Sequence, residues 1–100
     1  MLRKVVFSNR FRAKLFLLFE YLELEWSLKV RNEFEEKLDS SIRTLLQMPD
    51  IFPKSELKKT YSKCVITKQT TIFYDFNSKE IRIADVFDTR QDPKNIKKQQ

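Results

Sequence analysis

The side chains with chemical reach are mostly cations, and they crowd into the second half of the chain. Residues 1–53 carry nine Lys/Arg against eight Asp/Glu, whereas residues 54–100 carry eleven against six. Lys54, Lys58 and Lys59 form one cluster, Lys63 and Lys68 follow, and Arg82 and Arg90 close the series. Cations grouped this way suit a phosphate backbone or another acidic partner. Each has a plainer reading beside it. The three-lysine cluster equally fits a charged solvent loop, and Arg82 a solvated cross-strand pair. Arg90 fits a strand-end salt bridge with Asp88 or Asp92.

Missing residue types exclude whole classes of function. There is no His, hence no ordinary neutral-pH acid–base group and none of the commonest metal ligand. There is no Gly, which rules out a phosphate-cradling Walker loop and a dinucleotide fingerprint. The one Cys, Cys64, makes neither an intrachain disulfide nor a cysteine zinc site. Its apolar, β-prone neighbours point to a buried inert thiol. No cofactor and no metal are therefore expected, and a cytoplasmic home fits. The most apolar stretch, 11–26, is interrupted by Lys14, Glu20, Glu23 and Glu25. It is too short and too charged to span a bilayer, so no membrane partner is expected.

The elements that must position these cations follow from hydrophobic period and punctuation. Residues 2–7 read as a short strand stopped by Ser8-Asn9, either of which can cap a helix. A helix over about 10–26 carries Phe11, Leu15, Leu18, Leu22 and Trp26 on one face. Leu17, Tyr21, Leu24 and Leu28 make a second stripe, and Phe16 and Phe19 widen the apolar surface. Such a helix is either wedged between a sheet and another helix or waiting for a protein partner. Ser27 caps a second helix over about 28–47, with Val30, Phe34, Leu38, Ile42 and Leu45 inward and a charged outer face. Pro49 ends it. A loop over 48–60 leads to strands at about 61–67, 70–76 and 80–87, with a turn at Asn77-Ser78. The alternation slips at Ala84-Asp85, which marks a bulge that re-aims the residues after it. The expected fold is α+β: an N-terminal strand, an αα-hairpin and a three-strand antiparallel meander. The helices cover one face of the sheet, and the other face stays open. Residues 1–93 make one domain, and 94–100 read as a mobile basic tail.

With this order in hand, the chain resembles the RelE/ParE superfamily of toxins from type II toxin–antitoxin systems. The residues that carry the resemblance begin with Val5-Val6-Phe7-Ser8-Asn9-Arg10-Phe11 and the Tyr21-Leu22 of an aromatic first helix. They continue through Leu45-Leu46-Gln47-Met48-Pro49 and Thr71-Ile72-Phe73-Tyr74-Asp75-Phe76. Ile81-Arg82-Ile83 and Val86-Phe87-Asp88-Thr89-Arg90-Gln91-Asp92-Pro93 complete them. The resemblance implies a growth-inhibiting protein held inactive by a cognate antitoxin, with operator DNA bound only through that antitoxin. The apolar stripe of Leu17, Tyr21 and Leu24 is then the expected antitoxin contact. It also implies one of two targets. RelE-like members cleave mRNA on the ribosome; ParE-like members poison DNA gyrase.

The resemblance places Arg90 where a ribonuclease member carries an arginine after the last strand. Thr71 stands where a further strand arginine is found, and no Tyr or His follows Tyr74. Cleavage by the 2′-OH needs a base, an acid and cations for the phosphorane. The sequence offers cations, with Asp75, Asp85, Asp88 or a lysine of lowered pKa as the only bases. These departures favour a ParE-like toxin acting by binding. A RelE-type endoribonuclease with Arg90 as its catalytic cation, and a non-toxic nucleic-acid-binding domain, stay open beside it.

Overall fold

Two serines start the two helices. The Ser8 hydroxyl accepts from the Phe11 N–H at 3.0 Å, and the Ser27 hydroxyl from the Val30 N–H at 3.0 Å. Each satisfies a first-turn donor that the helix itself leaves unpaired. In this computed structural model, residues 3–56 and 60–91 are described. They form β1 (Lys4–Phe7), α1 (Asn9–Glu25), α2 (Leu28–Gln47), β2 (Ser62–Val65), β3 (Thr70–Phe76) and β4 (Glu80–Asp88), followed by a 3-10 turn at Thr89–Gln91. Lys58, Lys59 and the expected tail at 94–100 lie outside the described residues.

The four strands lie in the order β1-β4-β3-β2. The meander expected from the sequence is present, with β2, β3 and β4 antiparallel. The first strand joins the far edge, parallel to β4, with Val5 opposite Ile81 and Phe7 opposite Ile83. The helical hairpin is the crossover that parallel pairing requires. Beyond Phe7, α1 replaces β1 beside β4. The Ser8 hydroxyl donates to the Ala84 carbonyl at 2.7 Å, and Lys14 reaches Asp85 at 2.7 Å.

One core unites Phe11, Leu18 and Leu22 of α1 with Phe34, Leu38 and Leu45 of α2. Ile72, Tyr74, Ile81, Ile83 and Val86 of the sheet complete it. Tyr74 is buried whole, and its hydroxyl is satisfied by the Pro49 carbonyl. Cys64 is 1% exposed, and burial pushes its thiol pKa up, which suits the inert role expected of it. Trp26 departs from its expected place on the buried face. It is 58% exposed because α1 stops at Glu25 and Trp26 is the cap, with φ and ψ outside the helix.

The slip at Ala84 is a bulge. Tyr74 pairs with Ile83 and Phe73 with Asp85, so Ala84 is the extra residue. A one-residue insertion exchanges the faces of everything after it. Without it Asp85 and Phe87 would point at the helices. With it, Val86 enters the core, Phe87 is exposed, and Asp88 falls on the helix side beside Thr70.

Candidate functional site

The face of the sheet away from the helices carries every second residue of each strand. The register puts Lys63, Phe73 and Asp85 in one row, and Asp75 and Arg82 in the next. Val65 and Phe87 are exposed on the same face, opposite Thr71 on its two sides. A shallow cleft of about 230 Å³ opens here, lined by Val6, Ser8, Tyr61, Asp75, Arg82 and Ala84. Arg82 clasps Asp75 with both prongs of its guanidinium, Nε to Oδ1 at 2.9 Å and Nη2 to Oδ2 at 3.0 Å. Arg82 thus faces away from the core, as its parity predicts, and makes the cross-strand pair weighed for it from the sequence.

Two cations at this face were not singled out in the sequence. Lys14 binds Asp85 at 2.7 Å, and Arg10 lies 3.7 Å from the same carboxylate. Their spacing of four on α1 is visible in the sequence, but their destination is not. The bulge sets Asp85 on the open face, and both cations meet it there. Arg10 remains largely exposed, and the Asp85 carboxylate is buried and also accepts from the Val86 N–H.

The sequence-nominated cations do not all meet. Lys63 and Arg82 share the open face. Lys54 lies in the loop that flanks β2, bridged to Ser62, and Lys68 sits exposed in the β2–β3 turn. Arg90 is on the other side of the sheet. It lines a small cleft with Val30, Phe34 and Lys37 of α2 and with Thr67 and Gln69 of the turn. There it makes the strand-end salt bridge considered for it. Nε donates to Asp88 Oδ1 at 3.0 Å, Nη2 to Oδ2 at 2.8 Å, and the Arg90 N–H to Oδ1 at 2.9 Å. Thr70 donates its hydroxyl to the same carboxylate.

These contacts decide what the carboxylates can do. Burial pushes the Asp88 carboxyl up, but the bonds from Arg90 and Thr70 outweigh it and hold its pKa below the usual carboxylate range. Asp75 is clasped by Arg82, and Asp85 by Lys14. Each candidate carboxylate base is thus an acceptor already engaged with a cation. Tyr74, next to Asp75 in sequence, has its hydroxyl pKa pushed up to about 12, chiefly by burial. Its O–H donates to the Pro49 carbonyl rather than facing a cleft. Among the described residues, no group of three or more His, Cys, Asp or Glu converges on a metal position. No described helix is long and apolar enough to cross a membrane.

The same architecture recurs in solved structures. The chromosomal ParDE TA system from P. aeruginosa matches with a TM-score of 0.71 at 11% identity, over 86% of this chain and 95% of that one. The E. coli DinJ-YafQ toxin-antitoxin complex matches at 0.62 and 14% identity, over 90% and 96% of the two chains. The YoeB/ParE toxin from Agrobacterium tumefaciens matches at 0.61 and 14% identity, over 85% and 96%. At these identities the likeness is one of fold. No functionally curated protein matches the sequence significantly. A family model described as the ParE toxin of type II toxin-antitoxin system, parDE, matches residues 5–93. That match takes in both helices, β2, β3, β4 and β1 from Val5 on, and by it the chain belongs to the ParE toxin family of type II toxin–antitoxin systems.

Proposed function

We propose that this protein is a growth-inhibiting toxin that acts in the cytoplasm by binding its target rather than by cutting RNA, with DNA gyrase as that target. The observation that carries this reading is the engagement of Asp75, Asp85 and Asp88, each already accepting from a cation. A ribonuclease needs a group free to take the 2′-OH proton. A binding toxin needs only a fixed pattern of charge and apolar surface, and the open face supplies Lys63, Arg82, Arg10, Val65 and Phe87. Lys54 and Lys68 at its margin extend the charge and steer an acidic target, with Lys58 and Lys59 assigned to the same task from the sequence. Arg90 belongs to this reading as a residue that fixes the end of β4.

A cognate antitoxin neutralises the toxin in this reading. Its seat is the outer side of α1 at Leu17, Tyr21 and Leu24, where Leu17 and Leu24 are exposed. Operator DNA is reached only through that antitoxin. The purified chain, added to a gyrase supercoiling assay and to a ribosome-dependent mRNA cleavage assay, separates the two targets. Inhibited supercoiling with intact mRNA is the expected result. Cleaved mRNA, abolished by Arg90→Ala in a variant that still folds, would establish the endoribonuclease instead.

A further inference from the structure

Helix α1 carries its charges against its own dipole. Arg10 and Arg12 lie in its opening turn and Glu20, Glu23 and Glu25 toward its end; its first turn holds no acid and its last no base. A helix is partly positive at its N-terminus and partly negative at its C-terminus, so the isolated molecule is destabilised by this order. The same helix leaves Phe16 66% and Leu24 76% exposed.

Arg12, Phe16 and Glu20 are spaced by four and form one exposed ridge. Beside it lies a cleft of about 220 Å³ lined by Phe16, Phe19, Glu20, Glu23 and Arg31. Arg31 covers the Phe19 ring at 4.7 Å and sits 3.2 Å from Glu23. Arg12 and Glu20 have no ion-pair partner among the described residues.

We propose that two copies of this chain pair through antiparallel α1 helices, about a two-fold axis at Phe16. Arg12 and Glu20 stand four residues either side of that axis. Each Arg12 therefore meets the Glu20 of the other copy, and the two Phe16 rings meet on the axis, at the rim of each copy's cleft. The antiparallel direction also sets the cationic opening turn of one helix beside the negative end of the other, which removes the dipole mismatch. The contact is isologous and closes on itself. Charge complementarity selects this occupant. The surface calls for an aromatic with a cation on one side and an acid on the other at four-residue spacing, and α1 carries that row. The inference stands on α1 alone and does not rest on the antitoxin reading. Because Leu17 and Leu24 adjoin the ridge, a second copy and an antitoxin seated there exclude each other.

The test is sedimentation equilibrium of the full chain, refolded free of any antitoxin, over a concentration series. The expected species is a dimer of 12.1 kDa chains. Arg12→Glu and Glu20→Arg each weaken its Kd by about tenfold, and the double exchange restores it. In a separate variant, Phe16→Cys, mild oxidation links two copies across the axis; Cys64 is buried and does not compete. Both charged positions are exposed, and far-UV spectra recorded alongside identify any variant that fails to fold. A monomer at every concentration, a dimer indifferent to both charge reversals, or no link through position 16 would overturn the proposal.

Discussion

Two arginine–aspartate pairs sit on the same sheet with the same bidentate geometry and opposite surroundings. Arg82 and Asp75 join neighbouring strands on the open face, with side chains 57% and 29% exposed. Arg90 and Asp88 lie on the helix side, at 16% and 1%. Water competes for the first pair, which can open at little cost to meet a target. The second has no such competitor. Its carboxylate is also held by the Thr70 hydroxyl and the Arg90 N–H, so it staples the end of β4 to the start of β3 and to the turn that follows. Identical chemistry thus leaves one pair open to solvent, where the proposed function puts the target, and locks the other into the architecture.

The largest effect expected from this contrast is at Asp88. Replacing it with Ala strands a mostly buried guanidinium and the Thr70 hydroxyl, and should cost about 3 kcal/mol in a urea unfolding experiment. A loss no larger than that of an exposed variant would place the two pairs in one class. Thr70→Val, which removes one donor to a buried charge, should cost about 1.5 kcal/mol by the same measurement.

Acid sharpens the difference further. The Asp88 carboxyl is held below its ordinary value of 3.8 in the folded protein. A depressed carboxyl contributes stability that is fully present above its unfolded pKa and is lost as pH falls through the folded one. The wild type should therefore lose more of its urea midpoint below about pH 4 than Asp88→Asn does. Parallel acid limbs for the two proteins would remove Asp88 from the account. The smallest effect on stability belongs to Arg82→Ala. It should leave the unfolding midpoint essentially where it was, yet weaken the gyrase inhibition proposed above. A variant that inhibits as well as the wild type would take Arg82 off the target surface.

Much of this was legible in the residues. Ser8 and Ser27 announced both helix starts, and the stripe of Phe34, Leu38 and Leu45 fixed the inner face of α2. The slip at Ala84-Asp85 disclosed the bulge. These signals are local, and a backbone with unmet donors or a misplaced apolar side chain enforces them within a few residues. Trp26 misled because periodicity alone does not show where a helix stops.

The grouping of the candidate site was not legible, because it depends on which strands become neighbours. Arg82 and Arg90 are eight residues apart in sequence and share a sign, one near the start of β4 and the other just past its end. One inserted residue between them, read against the register of β3, sends them to opposite faces. The same insertion sets Asp85 on the open face, where it meets Arg10 and Lys14, more than seventy residues away in the chain. By itself, the sequence determined the elements, the absence of His and Gly chemistry, and the basic second half. Only the tertiary structure decided which cations face outward together and which carboxylates are already taken. Sidedness is a property of pairing, and pairing is set by contacts distant along the chain.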